Sequence, residues 1–152
     1  MRKYILLIMF IFALASLSYA GDEIQVTDAW VREVPPASTV TAAYLKIKNK
    51  GDKADKLTGV SSAIAGTAQI HTTSVDDKGV AKMEMRDSID IPAGETVALE
   101  PGGTHIMFID LKEPVMGKDE IELDLMFENA GEVEVKAHVM GLSDQNGDHN
   151  HH

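Results

Sequence analysis

No cysteine occurs anywhere in the 152 residues. That absence rules out disulfide staples, so burial alone must hold the fold, and it removes the thiol an N-terminal lipid anchor would need. It also excludes a nucleophilic cysteine and a blue-copper electron-transfer centre, both of which need a thiolate. Basic residues are scarce: 14 Lys and Arg stand against 24 Asp and Glu, for a formal net charge of −10. A chain of that sign repels nucleic acid and anionic lipid heads, so neither is an expected partner. Past residue 20 there is no long apolar run and no convincing helical periodicity. Catalytic patterns are missing as well. There is no Ser/His/Asp arrangement, and Gly102-Gly103 is followed by neither the helix nor the lysine of a phosphate loop. An enzyme is the least expected class.

The one apolar run opens the chain. Arg2 and Lys3 precede an apolar stretch from Tyr4 to Leu17, and Ser18-Tyr19-Ala20 closes it with small-x-small. That is the layout of a secretory signal peptide, with cleavage expected after Ala20. The expected organisation is a signal peptide over 1–20, one domain over 21–140 and a flexible polar tail over 141–152. The exported domain is expected to be monomeric, without stable membrane insertion.

Short β-type runs broken by turn signals fill the domain. Ile24–Val26, Ala29–Val31, Val40–Ile47, Leu57–Ser61, Thr67–Thr73, Ala81–Met85, Thr96–Leu99, Thr104–Ile109, Glu120–Phe127 and Val133–Val139 are the candidates. Asp76-Asp77-Lys78-Gly79 reads as a hairpin loop, and Ile121, Leu123 and Leu125 alternate with Glu122, Asp124 and Met126. Eight or nine strands drawn from these ten runs, without a helix, predict an all-β antiparallel sandwich or barrel of Greek-key type.

Soft donors are what the chain does have. Past residue 20 it carries Met83, Met85, Met107, Met116, Met126 and Met140, with His71, His105, His138, His149, His151 and His152. His105-Ile106-Met107 falls in a predicted strand, where residues two apart share a face. His71 and Met83 fall on the two arms of the predicted hairpin, giving the spacing His71-x11-Met83-x21-His105-x-Met107. Two imidazoles and two thioethers are neutral donors, and thioether sulfur favours Cu(I) over Zn, Mg or Ca. Transport fits that set better than redox cycling. The bland reading stays open, since a methionine is more often a core gap-filler and a strand histidine more often a hydrogen-bonded residue. Met85, sharing a face with Met83, is an alternative ligand. His138-Val139-Met140 reads as structural or incidental, Trp30 as a packing anchor, and Arg32 as the partner of a carboxylate. His149, His151 and His152 form a short tail that can hold Cu(II) weakly or stand idle in solvent.

The spacing resembles that of the periplasmic copper chaperones of the PCuAC type, whose motif is a His, usually followed by Met, then ten residues, Met, twenty-one residues and His-x-Met. Asp28-Ala29-Trp30-Val31-Arg32, Ala42-Ala43-Tyr44, Ile91-Pro92-Ala93-Gly94 and Pro101-Gly102-Gly103-x-His105-Ile106-Met107 are similar to that family's other blocks. Thr72 departs from it, standing where the family often has Met. The resemblance implies a cupredoxin-like fold and a Cu(I) site at His71, Met83, His105 and Met107. It also implies a partner that accepts copper: a haem–copper oxidase subunit, such as the dinuclear copper site of cytochrome c oxidase, or a second copper chaperone. A periplasmic copper buffer without a dedicated acceptor is the competing expectation.

Overall fold

The computed structural model describes residues 23–141. The expected leader over 1–20 and the histidines of the expected tail (His149, His151 and His152) lie outside the described residues. Among the described residues every regular element is a strand: β1 (Ile24–Arg32), β2 (Val40–Asn49), β3 (Asp55–Ser61), β4 (Ala65–Val75), β5 (Ala81–Arg86), β6 (Ile89–Ile91), β7 (Thr96–Leu99), β8 (Thr104–Leu111), β9 (Glu120–Phe127) and β10 (Gly131–Met140). No helix among them is long and apolar enough to cross a membrane.

The strands form one sheet in the order β5-β4-β8-β2-β1-β10-β9-β3-β6, with β7 branching from β2. Period-two patterning places one side of it in the core. Ala43, Leu45 and Ile47 of β2, Ile106 and Phe108 of β8, and Ile121, Leu123, Leu125 and Phe127 of β9 are buried. Together with Val31, Leu57, Ile91, Leu99 and Ala137 they make a single cluster drawn from both halves of the sheet. At about 25 cal/mol per Å² of apolar surface, that burial is the main stabilising term in a chain without disulfides.

Two differences from the sequence expectation have physical causes. The sheet is mixed, because β1 and β10 pair in parallel through Trp30↔His138, Val31↔Val139 and Arg32↔Met140. Periodicity fixes which face a residue takes and says nothing about which distant strand lies alongside. Second, Ile24–Val26 and Ala29–Val31 are a single strand interrupted by a β-bulge, where the register shifts between Thr27 and Trp30. Asp28 sits there at φ 53°, a left-handed conformation that Asp tolerates better than most residues. The bulge absorbs one extra residue and brings Trp30 opposite Tyr44. The short strand β6 carries only three residues, too few for alternation to reveal.

One buried carboxylate ties two distant loops together. Asp55 accepts hydrogen bonds from the backbone N–H groups of Lys56 (2.7 Å), Asn129 (2.9 Å) and Ala130 (2.9 Å). It thereby fixes the start of β3 against the β9–β10 turn.

Candidate metal centre

The hairpin between β4 and β5 forms where the turn residues predict it. Asp76 Oδ1 accepts from the N–H groups of Lys78 and Val80, and Gly79 takes φ 79°. The resulting register sets His71 opposite Met85 and Thr73 opposite Met83. On the other side of β4, His71 faces His105 and Gln69 faces Met107. Directly opposed residues of antiparallel strands share a face. His71, His105, Met83, Met85 and Met107 therefore come together on one face of the three-stranded segment β5-β4-β8. The inward alternates of β8, Ile106 and Phe108, anchor that segment to the core.

The histidines form the centre of the patch. Their ring centroids are 5.9 Å apart. His105 is only 6 % exposed and its Nδ1–H donates to the Gly103 carbonyl at 3.1 Å. A carbonyl can only accept, so the proton sits on Nδ1 and Nε2 keeps its lone pair. Gly102, at φ 83°, makes the turn that presents that carbonyl. His71 Nε2 donates to Gln69 Oε1 at 2.8 Å. Its Nδ1 is buried with no hydrogen-bond partner. A buried polar nitrogen without a partner is costly, and a Lewis acid would satisfy it. Each imidazole is thus held in one tautomer with one nitrogen left to coordinate. Partial burial, and then the neighbouring His105, lower the pKa of His71 from its ordinary 6.5.

The methionines flank the pair. Met83 is 49 % exposed and Met85 60 % exposed, so neither is a core gap-filler. Met85 stands directly opposite His71, while Met83 lies one pair nearer the turn, diagonal to it. Met107 is half-buried beyond His105, opposite Gln69 on one side and Ala42 on the other. Thr72 pairs with Thr104, hydroxyl to hydroxyl at 3.1 Å. As a neighbour of His71 in the strand, it points to the other face.

Behind His105 stands an aromatic backing that periodicity did not reveal. Tyr44 is buried, with its ring centroid 6.3 Å from that of His105 and 4.4 Å from that of Trp30. Arg32, expected to meet a carboxylate, instead donates through Nη2 to the Tyr44 hydroxyl at 3.0 Å. Burial pushes the Tyr44 hydroxyl above its usual pKa, with Arg32 pulling weakly the other way. Only the long-range register of β2 against β8 and β1 gathers these residues. Gln69 and the Gly103 carbonyl, which set the tautomers, each stand two residues before the histidine they hold, so the two-residue period of a strand could have pointed to them.

Residues 24–139 match the family LpqE-like, described as "Putative lipoprotein LpqE-like". The chain belongs to the LpqE-like family. A protein of Leifsonia xyli subsp. xyli (strain CTCB07), "Putative lipoprotein Lxx21020", is 33% identical over 126 residues, which is 83% of this chain and 75% of that protein. Among solved structures, the copper-bound PCuAC domain from PmoF2 superposes with a TM-score of 0.66 at 28% identity, covering 78% of this chain and 93% of that one. The solution structure of CuI-DR1885 from Deinococcus radiodurans superposes with a TM-score of 0.58 at 32% identity, covering 73% and 74% of the two chains. This LpqE-like chain therefore has the cupredoxin-like β fold of PCuAC domains, as the resemblance in its sequence implied.

Proposed function

We propose that this LpqE-like protein is a copper chaperone. It holds Cu(I) at His71, Met83, His105 and Met107, with Met85 as an adjacent thioether, and passes the ion to an acceptor protein. The observation that carries this reading is the pair of histidines at 5.9 Å between centroids, each with its tautomer set by a neighbour and one nitrogen left over. Thioethers on both sides make the set soft and uncharged, which suits a monovalent soft ion. Support also comes from the copper-bound state of the PmoF2 domain and the Cu(I) state of DR1885.

The arrangement suits delivery. His105 is buried and fixed, whereas the hairpin methionines are exposed on an edge strand. An incoming ligand from a partner can replace a thioether at the rim before the imidazoles let go. The acceptor we favour is the dinuclear copper site of a haem–copper oxidase, with the protein exported to the periplasm. The test is transfer from the Cu(I)-loaded protein to an apo oxidase copper-domain fragment, followed by the acceptor's absorption bands. Transfer that disappears in the His105→Ala, Met107→Ala double variant supports the reading. Copper retained by the wild-type protein would instead favour a buffering role.

A further inference from the structure

The sequence carries a second His-x-Met, His138-Val139-Met140, that the proposed Cu(I) site does not use. Its placement follows from the parallel pairing of β1 and β10. Trp30 stands beside His138 and Arg32 beside Met140. Trp30 is also opposed to Tyr44, and the Tyr44 ring adjoins His105. His138 and Met140 therefore lie on the same sheet face as His71 and His105. Three strand spacings, about 14 Å, separate His138 from His105.

On its other side His138 faces Glu120 of β9. The Glu120 carboxylate Oε1 lies 3.7 Å from His138 Nδ1, and both side chains are open to solvent, that of His138 at 69 %. Farther along the same two strands, carboxylate oxygens of Glu122, Asp124 and Glu134 lie within 4.8 Å of one another. Lys136, directly opposite Glu122, offsets one of these charges, and the remainder leaves a net negative field beside the His138–Glu120 pair that raises the local cation concentration. Imidazole nitrogen with carboxylate oxygen is a harder donor set than imidazole with thioether. Among divalent first-row ions, copper binds such sets most tightly.

We infer that His138 and Glu120 form a second, weaker metal site that takes Cu(II), with the Met140 thioether beside it on the same face. One face of the protein then carries two copper sites of different softness, the Cu(I) cluster at the hairpin end and the Cu(II) site at the β9–β10 end. The inference stands whether or not His71 and His105 bind Cu(I).

Trp30 supplies the readout. It is the only tryptophan in the chain and is the cross-strand neighbour of His138, so Cu(II) held there quenches its fluorescence. The experiment titrates aqueous Cu(II) into the full exported protein carrying His149→Ala, His151→Ala and His152→Ala, so that the tail cannot supply the ligands. The expected result is saturable quenching and one Cu(II) electron-paramagnetic signal with nitrogen coupling. His138→Ala weakens binding about tenfold or more, and Glu120→Gln weakens it severalfold, while a His71→Ala, His105→Ala variant keeps it. Circular dichroism checks the fold of each variant; both substituted side chains at the second site are exposed. Quenching unaffected by His138→Ala overturns the inference. So does quenching lost with the His71→Ala, His105→Ala variant or seen only when the tail histidines are present.

Discussion

Replacing the hairpin methionines separates a ligand role from a packing role with little interference from stability. Met83 and Met85 are 49 % and 60 % exposed on an edge strand, so Met→Ile at either costs at most about 0.5 kcal/mol of folding free energy. Both side chains sit on the His71 face, Met85 directly opposite it and Met83 diagonal, nearer the turn. Cross-strand Cβ separations of ~5 Å for the direct pair and ~7 Å for the diagonal one are both within reach of a methionine side chain. One thioether can therefore stand in for the other. Met83→Ile alone should lower Cu(I) affinity less than about tenfold, because Met85 takes the vacated position. The double variant leaves no sulfur on β5 and should lose about a hundredfold or more, close to 2.7 kcal/mol. The two effects are then strongly non-additive, as expected for neighbours that share one partner. Competition against a chromophoric Cu(I) chelator under reducing conditions measures the affinities, and urea melts of the apo proteins check stability. A double variant that binds Cu(I) as tightly as the wild type would refute the hairpin's part in the site. Single losses that simply add would refute the substitution of one sulfur for the other.

Other outcomes follow from the same geometry. Asp55→Ala removes the carboxylate that accepts from the part-buried N–H groups of Asn129 and Ala130 and should cost about 1–3 kcal/mol, read as a lower urea midpoint at unchanged m-value; a loss under about 1 kcal/mol would count against the staple. Because His71 titrates below its ordinary 6.5, the unfolded chain holds more protons just beneath that pH. The stability this group contributes should therefore be fully present above pH 6.5 and fall as the pH drops toward its folded pKa, in urea melts compared with His71→Gln. A His71 midpoint above 6.5 in an NMR titration contradicts the desolvated, paired environment. Thr72→Met restores the residue often found after the first histidine of PCuAC-type motifs. Since Thr72 points to the face opposite His71, Cu(I) affinity should change less than about threefold in the chelator competition.

Strand content, turn positions and donor chemistry were all legible in the sequence. Alternation along Glu120–Phe127 and Val40–Ile47 needs only the two-residue period of a strand, and Asp76–Gly79 carries its own turn geometry. The likeness to the PCuAC family rests on spacing, which is local information too. The choice of neighbours is different, because it depends on which distant segments bury their apolar faces together. The Gly103 carbonyl and Gln69 that fix the two imidazoles are local, each two residues before its histidine, but only the tertiary pairing set His71 against His105 and put Met85 and not Met83 directly across from His71. It also turned Arg32 toward a tyrosine rather than a carboxylate, and carried His138 onto the same face through a parallel ladder between the first and last strands. The chain composition decided which ion the donors suit, whereas folding decided which donors meet. Coordination depends on distances of a few ångströms between residues dozens of positions apart, and the core fixes those distances by packing.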